Sequence, residues 1–348
     1  MLTISPLTAR KLKRFASIRR GYVSLVIFCL LIFVSLFAEV FINSRALMVS
    51  YRGHLFFPTY GDMIPGTAFG LDYAYETNYR ELAKKFKAEQ EGNWVLLPPV
   101  PYNPYENDFL VSAYPPTPPS LEHRHFLGTD KSGRDVLARL AYGFRIAVFF
   151  SVALLGITYL TGVTLGCAMG YWGGAFDLIF QRLIEIWSNM PLLYVIIIIS
   201  SVVAPSFAVL LLIMACFGWV SRTWIMRTVT YKEKEREYVL AARSLGASDG
   251  RILLVHILPN TVSIIITFVP FSMAEGIIAL TSLDYLGFGL PPPTPSWGEL
   301  LHQGWANMSA WWIVCSVVGA MVLTLTLVTF IGEAIREAFD PKMHTVYE

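Results

Sequence analysis

Two short motifs carry residue types that could perform chemistry. The first, GASDG, runs from Gly246 to Gly250 and has the G-x-S-x-G spacing of a hydrolase nucleophile elbow, with Ser248 as the nucleophile. The second, GTDKSG, runs from Gly128 to Gly133 and has the G-x-x-x-x-G spacing of a phosphate-binding P-loop. Both motifs require a preceding strand, so the elements around them decide between chemistry and structure.

The residues before Gly246 have the spacing of a helix. Gly246 stands where a helix C-terminal glycine belongs, and Ser248 precedes Asp249 as an N-cap residue precedes an acid in the first turn. We expect Pro259 to close this second helix. The motif is therefore predicted to form a helix, a bend and a helix, with Ser248 as a cap. One face of the first helix, at i, i+3, i+4 and i+7, consists of Tyr238, Ala241, Ala242 and Leu245.

The second motif lacks the residues that a P-loop requires. Arg134 and Asp135 stand where Lys and Ser/Thr would contact phosphate and magnesium, and no strand is predicted before Gly128. We expect no nucleotide to bind there. A helix beginning near Lys131 would separate its apolar face from Arg139 and the other charged residues, which is typical of a helix lying in the outer membrane interface.

The composition excludes an ordinary soluble domain. Of the 348 residues, 55% are hydrophobic and only 15% are charged, and the mean hydropathy is +0.52. The cysteines lie inside apolar runs and indicate neither a disulfide framework nor a zinc site. These cysteines are Cys29, Cys167, Cys216 and Cys315.

Six segments are long and apolar enough to cross a hydrocarbon core, which needs roughly 20 helical residues. Lysine and arginine are abundant before the first segment and within residues 222–251, which predicts that these parts and both termini are cytoplasmic. The six predicted spans are residues 22–42, 145–171, 178–203, 207–226, 262–286 and 311–333. The predicted organisation is a basic N-terminus (1–21), a first transmembrane helix (22–42), a periplasmic insert with an interfacial helix (43–143), a transmembrane core (144–336) with a cytoplasmic loop (227–261), and a cytoplasmic tail (337–348).

Two segments resemble the permeases of ABC importers. AARSLGASDGRILLVHILPN, residues 241–260, resembles the cytoplasmic coupling loop of that family, although Leu240 replaces the glutamate that leads the family motif. FLGTDKSGRDVLARLAYGFRIAV, residues 126–148, resembles the segment before the second span of dipeptide, oligopeptide and nickel importer permeases. The long insert and LTSLDYLGFGLPPPTPSWGELL, from Leu280, are most similar to the peptide permeases associated with microcin C uptake. The coupling-loop spacing is kept at Ala241, Ala242, Gly246 and Pro259.

The resemblance implies an all-α type I ABC importer permease fold with six transmembrane helices in a bacterial inner membrane. It implies a second homologous permease, two ATPase domains (separate or fused), a periplasmic peptide-binding protein, a peptide substrate and no nucleic acid. The chain itself would be no enzyme and would hold no cofactor or metal, because Mg-ATP would bind to the ATPase domains. The residues implied to contact those domains are Ala241, Ala242, Leu245, Gly246, Ala247, Ser248, Asp249 and Pro259.

Acidic residues and prolines inside the spans are candidates for a transport path, because charge and broken backbone are costly in a bilayer. Glu39 and Glu333 lie near span ends, which favours an interfacial role. Glu185 and Glu275 lie deeper, and each either lines a substrate cavity or pairs with a residue of a partner helix. The prolines, Pro191 and Pro270, are expected to kink or break their spans, for gating or for packing.

The insert leaves two alternatives open. The insert has a charged, helix-like stretch and then a proline-rich stretch from Pro98, which should run extended along a surface. Together they form either a solvated linker or a small periplasmic cap that contacts a binding protein or the sister permease. Two other functions are also weighed. A secondary transporter would need an internal repeat or broken midplane helices working without an ATPase, and a membrane serine hydrolase would need a base beside Ser248.

Overall fold

The computed structural model describes residues 6–108 and 114–339. This part of the chain is mostly helical, with one small sheet. In chain order the helices are α1 (Pro6–Ser17), α2 (Arg19–Leu36), α3 (Ala38–Phe41), α4 (Tyr79–Glu89), α5 (Val136–Trp172), α6 (Gly174–Ser188), α7 (Leu192–Val202), α8 (Phe207–Glu233), α9 (Glu237–Ser244), α10 (Asp249–Arg251), α11 (Leu258–Tyr285), α12 (Trp297–Ala306) and α13 (Trp311–Phe339). The strands are β1 (Met48–Tyr51), β2 (His54–Phe56) and β3 (Trp94–Leu96). The predicted tail lies mostly outside the described residues.

Five helical runs in the described residues are long and apolar enough to cross a membrane: α2, α5, α8, the run from α10 through α11, and α13. A sixth span is formed by α6 and α7 together, which are bent by 70° at the break between them. The break falls before Pro191, which has no N–H to continue the helix and stands at the N-cap of α7. The predicted interruption of this span is confirmed.

The second span begins earlier than predicted. Asp135 caps α5 by accepting a hydrogen bond from the backbone N–H of Ala138 at 2.7 Å, and α5 continues from Val136 into the bilayer region without a break. The separate interfacial helix expected from Lys131 is therefore wrong. Its charged residues are not on a solvated face either, because Arg139 is completely buried.

The fourth span ends later than predicted. Helix α8 runs to Glu233, so Arg222 and Arg227 lie within it and not in the following loop. Each arginine pairs with a carboxylate of a neighbouring helix: Arg222 with Glu275 of α11, and Arg227 with Asp177 of α6. The Lys/Arg count of the loop had included both residues.

Helices α5 and α8 pack closely along a stripe of glycines. Gly162, Gly166 and Gly170 are four residues apart and face α8. A Cβ atom added at Gly166 would lie only 2.5 Å from the carbonyl oxygen of Thr223. The two backbones therefore approach as closely as glycine allows, which is a common device for packing helices in membranes.

Pro259 does not close a helix. It lies in the first turn of α11, and one turn of π-helix, Ile252–Ile257, joins α10 to α11 in a single helical run. Proline cannot donate the usual i to i−4 hydrogen bond, and the wider π turn before it accommodates that defect without ending the helix. The prediction for Pro259 is wrong for this reason. Pro270 is likewise buried inside α11 without interrupting it.

The insert contains a small folded unit, which we call the cap, residues 46–97. Strand β1 pairs antiparallel with β2 on one side and β3 on the other. Asn78 is the N-cap of α4, and its side chain accepts hydrogen bonds from the backbone N–H groups of Arg80 and Glu81. One apolar face of α4 packs against the sheet. A charged stretch that looked solvated is thus amphipathic, and the insert has a core of its own. The buried core consists of Ala46, Val49, Phe69, Tyr79, Leu82 and Phe86.

The proline-rich stretch after the cap has no helix or strand in its described part, as expected, but it is not all at the surface. Val100 and Tyr102 are buried against α3 and α5. Residues 109–113 of this stretch lie outside the described residues.

Candidate functional site

The segment around Gly246, which we call the Gly246 bend (residues 237–251), is closed by a Schellman motif. Gly246 has φ +78°, its N–H donates to the carbonyl of Arg243 at 3.0 Å, and the N–H of Ala247 donates to the carbonyl of Ala242 at 3.1 Å. Glycine adopts this left-handed conformation without strain. The predicted helix, glycine bend and helix are confirmed.

Ser248 occupies the predicted N-cap position, with extended backbone (φ −67°, ψ 153°), but its side chain makes no capping hydrogen bond among the described residues. The helix α9, and not a strand, leads into the bend, so the strand-to-helix turn that a nucleophile elbow requires is not formed here. Ser248 is a helix-start residue whose hydroxyl is exposed to solvent.

The Gly246 bend has a packed inner side and an exposed outer side. On the inner side, Val239 is buried and Ala242 and Ala247 pack partly against the same apolar cluster. On the outer side, Ala241 is exposed and Leu245 is 87% exposed. The four helix-face residues are therefore divided, because Ala242 belongs to the bend's own core while Ala241 and Leu245 are available to another protein.

Asp249 ties the bend to the end of α5. Its carboxylate accepts a hydrogen bond from the Tyr171 hydroxyl at 2.8 Å and another from the Trp172 indole N–H at 3.2 Å. The guanidinium of Arg243 lies 5.4 Å from the centre of the Tyr171 ring, a cation–π contact. The bend is thus connected to α5 through these contacts and to α11 through the continuous helix.

A cavity of about 260 Å³ lies between α5, α7, α8 and α11. Its wall is mostly apolar, and its charged groups are Arg222 of α8 and Glu275 of α11. A guanidinium nitrogen of Arg222 donates to the carboxylate of Glu275 at 2.7 Å and to the hydroxyl of Ser272, also at 2.7 Å. Glu275 thus lines a cavity and also pairs with a neighbouring helix, while its place in a substrate path stays a prediction.

Sequence reasoning missed Arg222, although a signal was present. The residue lies about eleven positions before the end of α8, or about 16 Å along the helix axis, which is deep enough to fall within the membrane. The predicted span, residues 207–226, included Arg222, but the residue was also counted with the basic residues of the loop that follows. A charge pair at this depth is a candidate functional site by default.

The other acidic candidates are not part of the cavity lining. Glu185 is exposed and pairs with Arg182 of its own helix at 2.5 Å, so it pairs with no other helix of the described chain. Glu39 lies 2.9 Å from Arg145 of α5, and Glu333 lies 3.6 Å from Arg20. The positions of the last two at span ends agree with an interfacial role. Pro191, which ends the break between α6 and α7, lies next to Leu192, a residue of the cavity wall.

A second charged cluster lies between the start of α5 and α12. Arg134 and Arg139 both contact Glu299 of α12 and Asp130, and all four side chains are largely buried. The GTDKSG motif thus forms a turn whose charges join the start of α5 to α12. These buried ion pairs give the motif a structural role.

His125 adds a titratable group to this region. Its ring nitrogens lie 2.8 Å from the carboxylate of Asp135 and 3.4 Å from that of Asp108, and its ring stacks on Tyr102. Burial lowers the pKa of His125, but the hydrogen bonds to the two aspartates raise it by more, so the pKa lies above its ordinary value.

The described residues contain no group of three or more His, Cys, Asp or Glu side chains that could hold a metal ion. The free cysteines also lack partners for a disulfide among these residues, and Cys167 alone is buried.

Comparison with known proteins gives a consistent result. The family described as "Binding-protein-dependent transport system inner membrane component" matches residues 162–345. The chain is 42% identical to the inner membrane ABC transporter permease protein YejE of Escherichia coli (strain K12), over 98% of this chain and 99% of the relative. It is 39% identical to the peptidoglycan transport system permease protein YejE of Agrobacterium fabrum, over 97% and 94% of the two chains.

More distant similarity extends to a dipeptide permease. The dipeptide transport system permease protein DppC of Bacillus subtilis is 34% identical over 65% of this chain and 71% of its own length. The matched family region includes the Gly246 bend, Arg222 and Glu275.

Proposed function

This chain belongs to the family of binding-protein-dependent transport system inner membrane components, and we propose that it is the permease subunit of an ATP-driven importer of oligopeptides. Relatives that cover nearly the whole chain are ABC permeases, and one is named for peptidoglycan transport. These names support peptides and peptidoglycan fragments as the substrate class. Peptide antibiotics such as microcin C are proposed as further substrates on the sequence resemblance alone.

The Gly246 bend is the contact with the ATPase domains. The observation that carries this proposal is the division of the bend into a packed inner side and an exposed apolar outer side, at Ala241 and Leu245. An exposed leucine on a well-closed helical turn is suited to enter a groove on another protein. Because Leu240 replaces a glutamate of the family motif, apolar packing carries more of the contact than charge does.

Transport proceeds by alternating access. Closure of the ATPase domains on Mg-ATP moves the bend, and the bend moves α5 through Asp249 and α11 through the continuous helix. These two helices form walls of the cavity around Arg222 and Glu275, so their motion opens the cavity to one side of the membrane at a time. The Gly246 bend faces the cytoplasm, in agreement with the basic residues around it. A second permease and a substrate-binding protein complete the assembly.

The experiment is ATP-dependent peptide uptake by the complete assembly in proteoliposomes, together with co-purification of the ATPase. Leu245→Ala and Ala241→Trp should each weaken ATPase association and uncouple ATP hydrolysis from uptake. The first removes apolar contact area, and the second overpacks a close contact, at a cost of about 1–3 kcal/mol. Leu160→Ala is the matched control, because Leu160 is 72% exposed on α5 and far from the bend in sequence.

Raising the salt concentration in the same preparation shows whether apolar packing or charge holds the ATPase on the bend. Exposed ion pairs are screened beyond roughly 8–10 Å at 0.1–0.15 M salt, whereas apolar contacts are not weakened. The wild-type assembly should therefore keep its ATPase as salt rises. The proposal is wrong if the Leu245 and Ala241 variants retain normal coupling, or if uptake proceeds without ATP.

A further inference from the structure

The cavity between α5, α7, α8 and α11 has a mostly apolar wall that carries one partly buried cation, Arg222, and its partner Glu275. The side chain of Arg222 is 17% exposed, and that of its partner Glu275 is 66% exposed. Leu154, Leu192 and Met214 provide apolar surface beside them. A charge in such surroundings is retained only where it is paired, and it marks a substrate or ion pathway more often than a packing contact.

Arg222 is held in place from two other helices. Ser272 of α11 donates its hydroxyl proton to the carbonyl of Phe268 at 3.0 Å, so its oxygen is free to accept from Arg222 at 2.7 Å and from the Tyr159 hydroxyl of α5 at 2.9 Å. The Arg222 guanidinium also lies 5.7 Å from the centre of the Tyr159 ring. The guanidinium is therefore positioned by Ser272 and Tyr159, independently of Glu275.

The guanidinium has donor capacity that the described residues do not use. Its Nε is buried and finds no acceptor among them. A guanidinium carries five N–H donors in a planar fork that matches the two oxygens of a carboxylate. Glu275 is bound by one oxygen only and is mostly exposed, which makes it the exchangeable member of the pair.

We infer that Arg222 binds a carboxylate of the peptide in transit, and that this carboxylate displaces Glu275 from the guanidinium. The inference rests on the proposed function, since it requires that peptides pass through this cavity. The pairing with Glu275 neutralises Arg222 when no peptide is present, and the exchange replaces one carboxylate by another without leaving the cation unpaired. A peptide supplies this chemistry from its C-terminus or from an Asp or Glu side chain.

The test compares uptake of matched peptides by the complete assembly in proteoliposomes. The probes are tetra-alanine with a free C-terminus, the same peptide as its C-terminal amide, and an amide in which one alanine is replaced by aspartate. The measured quantity is the ratio of uptake rates, free peptide over amide, in wild type and in each variant. Selection by the substrate-binding protein affects all variants equally and cancels in the comparison.

Arg222→Gln should lower this ratio at least about tenfold relative to wild type, as expected for the loss of a charge-assisted hydrogen-bonded pair. Glu275→Gln should keep the wild-type ratio or raise it, because the variant lacks the competing carboxylate. Arg182→Gln is the matched control: Arg182 forms an ion pair on α6 outside the cavity lining and should leave the ratio unchanged. Arg222→Lys, which keeps the charge but not the fork, should give an intermediate ratio and serves if the glutamine variant does not assemble.

The two carboxylate sources give different results. If the aspartate-containing amide is taken up like the free peptide, and loses this advantage in Arg222→Gln, any carboxylate binds. If it behaves like plain amide, the C-terminal carboxylate binds. An unchanged ratio in both Arg222 variants, or an equal loss in Glu275→Gln and Arg222→Gln, overturns the inference and leaves the pair a structural one. Absence of ATP-dependent uptake of every peptide by wild type would instead refute the proposed function.

Discussion

Alanine at Gly166 tests whether the close approach of α5 and α8 positions the cavity. The new Cβ would lie 2.5 Å from the carbonyl oxygen of Thr223 and 2.9 Å from the backbone nitrogen of Arg227. Both atoms belong to the backbone of α8, so no side chain can rotate away and the two helices must separate. Thr223 directly follows Arg222, so the separation displaces the arginine from the cavity wall.

The magnitude follows from a matched variant in the same helix. At Gly156 an added Cβ meets no described atom within 4 Å. Both alanine variants gain about 1 kcal/mol of helix propensity, which cancels in their comparison. The difference between them is then the overpacking cost alone, about 1–3 kcal/mol.

The assay is thermal unfolding of the purified assembly in mild detergent, followed by peptide uptake. Gly166→Ala should melt below Gly156→Ala and transport more slowly, while Gly156→Ala should match or exceed wild type in melting temperature. Equal melting temperatures for the two variants would refute the reasoning, because they would mean that α8 does not lie against the backbone of α5.

Three further predictions concern the Gly246 bend and His125. Gly246→Asp should abolish uptake, because it places a charge at the proposed ATPase contact. Gly246→Asn adopts the left-handed φ at the same cost as Asp, about 1 kcal/mol, but adds no charge, so it should retain uptake. Equal loss of uptake in both variants would point to backbone strain instead. Ser248→Ala, Ser248→Asp and Ser248→Asn should all keep most uptake activity, and the alanine variant should lose less than the roughly 1 kcal/mol of a bonded cap, since the hydroxyl makes no capping bond among the described residues; loss of uptake in all three, with the assembly intact, would contradict this. Because folding raises the pKa of His125, protonated His125 should stabilise the folded protein fully below the unfolded pKa of about 6.5, and this stabilisation should be lost as pH rises through the folded pKa. His125→Gln should flatten the fall in melting temperature over that pH range. An unaltered pH profile of the melting temperature would show that another group titrates.

Local features of the fold could be predicted from the sequence because their causes are local. The spacing around Gly246 predicted the bend, since a glycine after a helix and an acid at the start of the next one act within a few residues. The apolar runs predicted the spans, and Pro191 predicted the break in one of them. The prediction that Pro259 closes a helix was wrong because the preceding turn, Ile252–Ile257, widens into a π turn and accommodates the proline.

The residues that the sequence did not place correctly depend on distant partners. Arg139 is charged and lies in a helix that looked interfacial, yet Glu299 on α12 pairs with it and permits its burial. Arg222 pairs with Glu275 in the same way across two helices. The sequence left a small cap as one of two alternatives for a different reason: strands of three or four residues are too short to show an alternating pattern, and the charges of α4 outnumber its three buried residues.

The continuous helix from Asp249 to Tyr285 also has a mechanical consequence. Asp249 and Glu275 lie on one rod, about 26 residues or about 39 Å apart, so a tilt of only about 5° at the bend end displaces Glu275 by about 3 Å if the rod stays straight. Arg222 lies on α8, which ends at Glu233 and is not part of that rod. A displacement of this size is enough to break a hydrogen bond of 2.7 Å. If an ATPase domain moves the bend, as proposed above, the continuous helix would carry that movement to Glu275 and separate it from Arg222.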